Sequence, residues 1–192
     1  EAVIRVANTA DNLVLHFSFD DDEGGVVTDL SSYGNSGVVH GAQFVPAGRC
    51  GGAYWFDGVD DEIEVTNHPS LNPTNEITVC AWMRCFNSGT HNGIVMLKGT
   101  PPRGGTAQYA LIYFPDNLQG VQGKASFSLG VAGWHDYYSD GTLDLNTWHH
   151  LAGTYKSGQL RLYVDGKKAY EATLAGAIPV QSGNLFIGSE HP

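Results

Sequence analysis

Trp148-His149-His150-Leu151-Ala152-Gly153-Thr154-Tyr155, the turn Lys156-Ser157-Gly158, Gln159-Leu160-Arg161-Leu162-Tyr163-Val164 and Asp165-Gly166 form the stretch that decides the fold. Two runs rich in aromatic and branched residues flank a small polar turn. The second run closes on Asp-Gly, a pair that supplies the positive φ angles of a tight hairpin. Leu160, Leu162 and Val164 alternate with polar neighbours, so residues 159–164 present one apolar face, and a return strand follows over 167–171.

The same period of two runs outward from this hairpin. Leu13, Leu15, Phe17 and Phe19 alternate with Val14, His16 and Ser18. The acidic run 20–23 and Gly24-Gly25 end that strand, and a loop of turn formers spans 29–37. A short strand follows near 38–40, and strands 54–56 and 63–65 flank the turn at 57–60. In the second of these Ile63 and Val65 point inward, while Glu62 and Glu64 point out. Residues 77–84 are apolar on both faces, as expected of a central strand between two layers. Further strands are expected at 94–97, 108–114, 125–131 and 184–188. About eleven or twelve short strands, with turns every eight to twelve residues, predict an all-β sandwich or barrel. No long run keeps a helical apolar rhythm, and no internal repeat or low-complexity linker divides the chain.

Composition narrows the function classes. The chain has 25 Gly among 192 residues, which suits many turns. Ten Lys and Arg against 20 Asp and Glu give a formal charge of −10. A nucleic-acid binder needs a basic face, and this charge also disfavours anionic membranes and acidic polysaccharides. No segment is long and apolar enough to insert in a bilayer. The sequence starts at Glu1 without a signal peptide, as in a mature exported protein or a cut piece, and a secreted or cell-surface location is expected. Cys50, Cys80 and Cys85 are an odd number, so they read as small buried apolar residues, with one bridge and one thiol as the alternative. Cys80 and Cys85 fall on opposite faces of a regular strand, against a bridge between those two.

Four ordered blocks carry a family resemblance. Leu15-His16-Phe17-Ser18-Phe19-Asp20 with Asp29-Leu30-Ser31-Ser32-Tyr33-Gly34-Asn35 resembles the opening of laminin-G-like jelly-roll modules of the concanavalin A-like kind. Ala53-Tyr54-Trp55-Phe56-Asp57-Gly58-Val59-Asp60-Asp61 is similar to their second signature, and Ile77-Thr78-Val79-Cys80-Ala81-Trp82-Met83 to their central strand. The block at Trp148 through Gly166 is similar to their most diagnostic one. The resemblance implies an antiparallel two-sheet jelly-roll sandwich over 13–192, preceded by a lead-in segment at 1–12. It also implies a final strand beside the first, yet Pro192 ends the sequence before any such strand. An open edge at 13–19 is an aggregation hazard. The apolar segment 2–7 is the candidate to fill that lane.

Three kinds of chemistry are open to these residues. The resemblance implies a structural Ca²⁺ held by Asp20 and Asn35 with carbonyls near Ser36 and Val38. Carboxylates and carbonyls are the ligands this hard cation takes, although the run from Asp20 is no EF-hand, because its twelfth position is Ser31. Asp57, Asp60, Asp61 and Glu62 read as residues that tighten their own turn. Sugar binding needs exposed rings beside hydroxyl-bonding groups. Gly133-Trp134-His135-Asp136-Tyr137-Tyr138-Ser139-Asp140 is the best such stretch, read as a loop between strands. Trp134, Asp136, Tyr137 and Tyr138 are its candidate ligand contacts, with His91 and Arg103 on neighbouring loops; the alternative is a hairpin whose rings pack onto the sheet.

Catalysis finds less support. No Glu-x-Asp-x-x-Glu pair, Gly-x-Ser-x-Gly, Cys-x-x-Cys or His-Glu-x-x-His pattern occurs. His149 and His150 point to opposite faces and cannot chelate one ion together. The expectation is a non-catalytic extracellular carbohydrate-binding or adhesion module, with glycan or a cell-surface or matrix protein as partner. A structural or protein-interaction spacer is the first alternative, and a fragment of a polysaccharide hydrolase or lyase the second.

Overall fold

The computed structural model of the chain describes residues 4–9, 12–21, 24–86, 93–99, 107–115 and 120–189. In chain order its strands are β1 (Ile4–Thr9), β2 (Asn12–Phe17), β3 (Val26–Val27), β4 (Gly37–His40), β5 (Gln43–Val45), β6 (Ala53–Trp55), β7 (Glu62–Val65) and β8 (Glu76–Arg84). They continue as β9 (Gly93–Gly99), β10 (Ala107–Phe114), β11 (Lys124–Leu129), β12 (His135–Tyr138), β13 (Trp148–Lys156), β14 (Gln159–Val164), β15 (Lys167–Thr173) and β16 (Leu185–Ile187). One sheet has the order β15-β14-β13-β8-β1-β2, the other β12-β11-β10-β9-β16-β7-β4-β3, and β5 pairs with β6 alone. The strand pairs of both sheets are antiparallel, as a jelly-roll sandwich requires.

The deciding hairpin forms as read. Asp165 and Gly166 carry φ of 50° and 76°, and the register pairs Leu162 with Tyr170 and Val164 with Lys167. The Asp165 side chain also ties the ribbon to its neighbour. Its Oδ2 lies 2.8 Å from His149 Nδ1, and its Oδ1 accepts the His150 N–H at 2.8 Å. Burial pushes the Asp165 carboxyl up, but these two hydrogen bonds and the two imidazoles outweigh it and hold the group below the usual range.

Between the sheets, period two sorts the side chains. Ile77, Val79 and Ala81 of β8, Leu151 and Tyr155 of β13, and Leu160 and Leu162 of β14 meet Leu111 of β10, Phe127 and Leu129 of β11, and Ile63 and Val65 of β7 in one core. Gly153 is required in this layer, since a Cβ there would stand 2.3 Å from Phe127 Cγ. Tyr109 and Tyr155 are buried, and each hydroxyl donates to a carbonyl, Leu71 at 3.1 Å and Gly176 at 2.7 Å.

Three expectations change. The outward side of β8 is not a second apolar face: Thr78 and Arg84 are exposed, and Cys80 and Trp82 half-buried. A long strand buried on both faces is instead β10, all eight of whose residues are buried. Its outer side joins Ile94 and Leu97 in a second cluster of Ala107, Ala110, Ile112 and Phe114, against which Val121, Trp134 and Tyr138 pack. The cysteines are all thiols, and Cys50 is exposed rather than buried.

The lead-in segment is part of the sandwich. β1 lies between β2 and β8, with Val6 opposite Leu15 on one side and Val79 on the other. It fills the lane beside the first strand as residues 4–9, while Ala2 and Val3 of the expected 2–7 segment lie outside the described residues. The far edge of β2 is covered too, because Asp29 Oδ1 accepts the His16 N–H at 2.8 Å and the Leu30 N–H donates to the His16 carbonyl at 2.9 Å.

Candidate functional site

Residues 135–138, expected in a loop, form β12, an edge strand of the larger sheet. Pairing sets Tyr138 opposite Ser126, Tyr137 opposite Phe127 and Asp136 opposite Ser128. Because Phe127 faces the core, Asp136 and Tyr138 face outward, on the side where Trp134 packs. Tyr137 faces the other way. It packs against the inner core beside Tyr170, ring centroids 6.0 Å apart, and burial, then Tyr170 and Tyr155, push its phenol up. Tyr137 is therefore removed from the outward set.

The outward group is a connected polar cluster between two rings. Ser126 and Ser128, both buried, share a hydrogen bond of 2.9 Å, and Ser128 Oγ donates to Asp136 Oδ1 at 2.7 Å. Tyr138 Oη donates to Asp136 Oδ2 at 3.4 Å, and its ring meets Phe114 edge-on at 5.1 Å. A carboxylate has about four acceptor sites. Asp136, half-buried and held by two hydroxyl donors, keeps acceptor capacity for the hydroxyls of a ligand. Trp134, also half-buried, offers a ring beside it. His91 and Arg103 lie outside the described residues.

Other parts of the surface suit a ligand less well. On the outer side of the smaller sheet, Arg49 sits over the Trp82 ring at 4.8 Å, and His150 lies 5.2 Å from it. That ring is already engaged. Burial lowers the His150 pKa, with Asp165 opposing. An open depression at the rim is lined by Asn75, Glu76, Lys156 and Ser157, but the Glu76 and Lys156 charges pair at 2.7 Å and Tyr155, its one ring, is buried.

The residues assigned to Ca²⁺ hold the opening loop together. Asn35 Nδ2 donates to the Val14 carbonyl at 2.7 Å and to Ser70 Oγ at 2.9 Å, and its N–H donates to Asp29 Oδ2 at 2.8 Å. Ser36 Oγ accepts the Asp29 N–H at 3.2 Å, and Val38 sits in the ladder between Val26 and Glu64. The Asp20 carboxylate lies against Gly51, where an added Cβ would be 2.1 Å from Oδ1. The contacts that hold this loop run through the Asn35 nitrogens and the Ser36 hydroxyl, and calcium receives no part in the proposed binding chemistry. Asp29, given no role of its own in the sequence reading, is the hub of the loop; its place at the start of the run of turn formers was the available signal. Asp57 and Asp61 behave as turn residues, accepting the Val59 N–H at 2.8 Å and the Asp57 N–H at 2.9 Å.

The family model of the concanavalin A-like lectin/glucanases superfamily matches residues 57–192. Among solved structures, domain 4 of AbnA, a GH43 extracellular arabinanase from Geobacillus stearothermophilus in complex with arabinotriose, is similar over 100% of this chain and 86% of its own, with a TM-score of 0.72 and 17% identity. Trypanosoma rangeli sialidase in complex with sialic acid is similar over 98% of this chain but 27% of its own (TM-score 0.62, 16% identity). Mouse laminin α1 domains LG4-5 are similar over 69% of this chain and 32% of theirs (TM-score 0.51, 17% identity). No curated protein sequence matches the chain.

Proposed function

Because this chain belongs to the concanavalin A-like lectin/glucanase superfamily, we propose that it is a non-catalytic module of a secreted or surface protein that binds neutral oligosaccharide on the outer face of its larger sheet. The observation that carries the reading is the placement of Trp134, Asp136 and Tyr138 on one side of β12, with two rings beside a hydroxyl-oriented carboxylate. Stacking on the rings supplies apolar contact, and Asp136 accepts sugar hydroxyls. The formal charge of −10 favours neutral over acidic glycans. The arabinotriose complex of the arabinanase domain makes arabino-oligosaccharides the first ligands to try.

A second reading has its own observation. Trp134 and Tyr138 pack on the outer apolar cluster, as rings would in a spacer domain that uses them only to cover its sheet. Calorimetric titration with arabinotriose and with neutral gluco- and xylo-oligosaccharides separates the two. Asp136→Asn keeps the shape and removes the charge. Hydrogen bonds to charged groups contribute about 1.5–3 kcal/mol, so this variant is expected to bind about 10- to 100-fold more weakly at an unchanged melting midpoint. Binding by wild type that Asp136→Asn leaves intact would place the ligand elsewhere, and no binding to any of the sugars would favour the spacer.

A further inference from the structure

His40 on β4 and Glu62 and Glu64 on β7 converge on the same outer face, several strands away from β12. The ladder sets His40 opposite Glu62 and Val38 opposite Glu64, so the two carboxylates, separated in the chain by Ile63, stand on the same face as the imidazole. One ligand atom from each of the three lies within 4.8 Å of the others, and His40 Nε2 is 3.5 Å from Glu64 Oε2. Neighbouring ligands on a tetrahedral zinc ion, with bonds near 2.0–2.2 Å, are separated by about 3.3 Å. The His40–Glu64 edge already approaches that spacing, and rotation about the exposed His40 side chain can bring its ring over Glu62.

The surroundings orient this set. Asn184 Nδ2 donates to Glu64 Oε1, while Asn184 Oδ1 accepts the Asn67 N–H at 2.8 Å, which fixes the amide with its donor end toward the carboxylate. A hydrogen bond of this kind from an outer residue sets the direction in which a ligating carboxylate points. Glu62 is buried, Glu64 half-buried and His40 exposed, so the cluster has a closed floor and an open side toward solvent.

We propose that His40, Glu62 and Glu64 bind one divalent transition-metal ion of the zinc class. An imidazole with two carboxylates is a mixed nitrogen and oxygen set, which suits Zn²⁺ and its neighbours, whereas Ca²⁺ takes oxygen ligands only, usually six to eight of them. Three protein ligands leave the fourth tetrahedral position to water or to a hydroxyl of a bound molecule.

The test is titration of the EDTA-stripped 192-residue chain with ZnCl₂, and separately with CoCl₂ followed by visible absorption. A Cys50→Ser background removes the exposed thiol as a competing ligand. One ion per chain is expected, with affinity at least tenfold weaker in His40→Ala and in Glu64→Gln, and with Co²⁺ bands of a nitrogen- and oxygen-ligated ion. His40 is exposed, so its alanine variant tests the ligand without removing core packing; Glu64→Gln checks the other strand. Absence of stoichiometric binding, equal affinity in both variants, or thiolate-to-cobalt charge-transfer absorption would each overturn the site.

Discussion

Lys98 of β9 is buried at one end of the sandwich, and its hydrogen-bond acceptors among the described residues include no carboxylate. Its ammonium donates to Asn67 Oδ1 at 2.9 Å and to the carbonyls of Gln181 and Gly183 at 3.2 and 2.6 Å, which ties the loop before β16 to the sheet. Burial pulls its pKa down to about 8. In the unfolded chain a lysine titrates near 10.4. Between these values the unfolded state holds more protons than the folded one, so folding stability from this group rises with pH across that window and is flat below it. Urea unfolding from pH 7 to 11 is predicted to show that rise in wild type and to lose it in Lys98→Met. A profile identical in the two proteins would mean that Lys98 carries no such penalty. A strand at 94–97 was legible in the sequence, ending one residue before Lys98. The lysine's acceptors were not, since Gln181 and Gly183 stand more than eighty residues away in the chain.

At the level of elements, the hairpin of β14 and β15 was legible because its turn is a local signal, carried by Asp165-Gly166 within a few residues. β12 was not. Gly133, Asp136, Ser139 and Asp140 read as turn formers, and four residues at a sheet edge gain strand character only from pairing with β11. That pairing decides the site, because it sends Tyr137 inward and leaves Asp136 and Tyr138 outside. The exchange of roles between β8 and β10 has a similar cause: apolar residues on both faces mark a doubly covered strand only when something lies over both faces, and Trp134 and Tyr138 pack over β10. β1 has the clearest consequence for stability. It separates β2 from β8 and puts Val6 into the core, so deletion of residues 1–11 uncovers two strand edges at once. The shortened protein is predicted to melt at lower temperature and to associate as its concentration rises, by light scattering. An unchanged midpoint with monodisperse scattering would show that this lane contributes little.

For the whole molecule, the four sequence blocks foretold the sandwich because each encodes a strand and its turn, and the fold is their sum. The binding face was legible only as a list of residue types, since strands distant in sequence bring Ser128 to Asp136 and Phe114 to Tyr138. The four tryptophans report on different parts of the molecule: Trp55 on the small β5–β6 ribbon, Trp82 and Trp148 on β8 and β13 of the smaller sheet, and Trp134 beside β12. An NMR titration with the best-binding neutral oligosaccharide reads all four indole N–H signals together with the backbone amides. The Trp134 indole and the amides of β11 and β12 are expected to shift with one common saturation curve, while the Trp82 and Trp148 indoles stay still. Shifts centred on Trp82 and His150, with Trp134 unmoved, would contradict binding at β12.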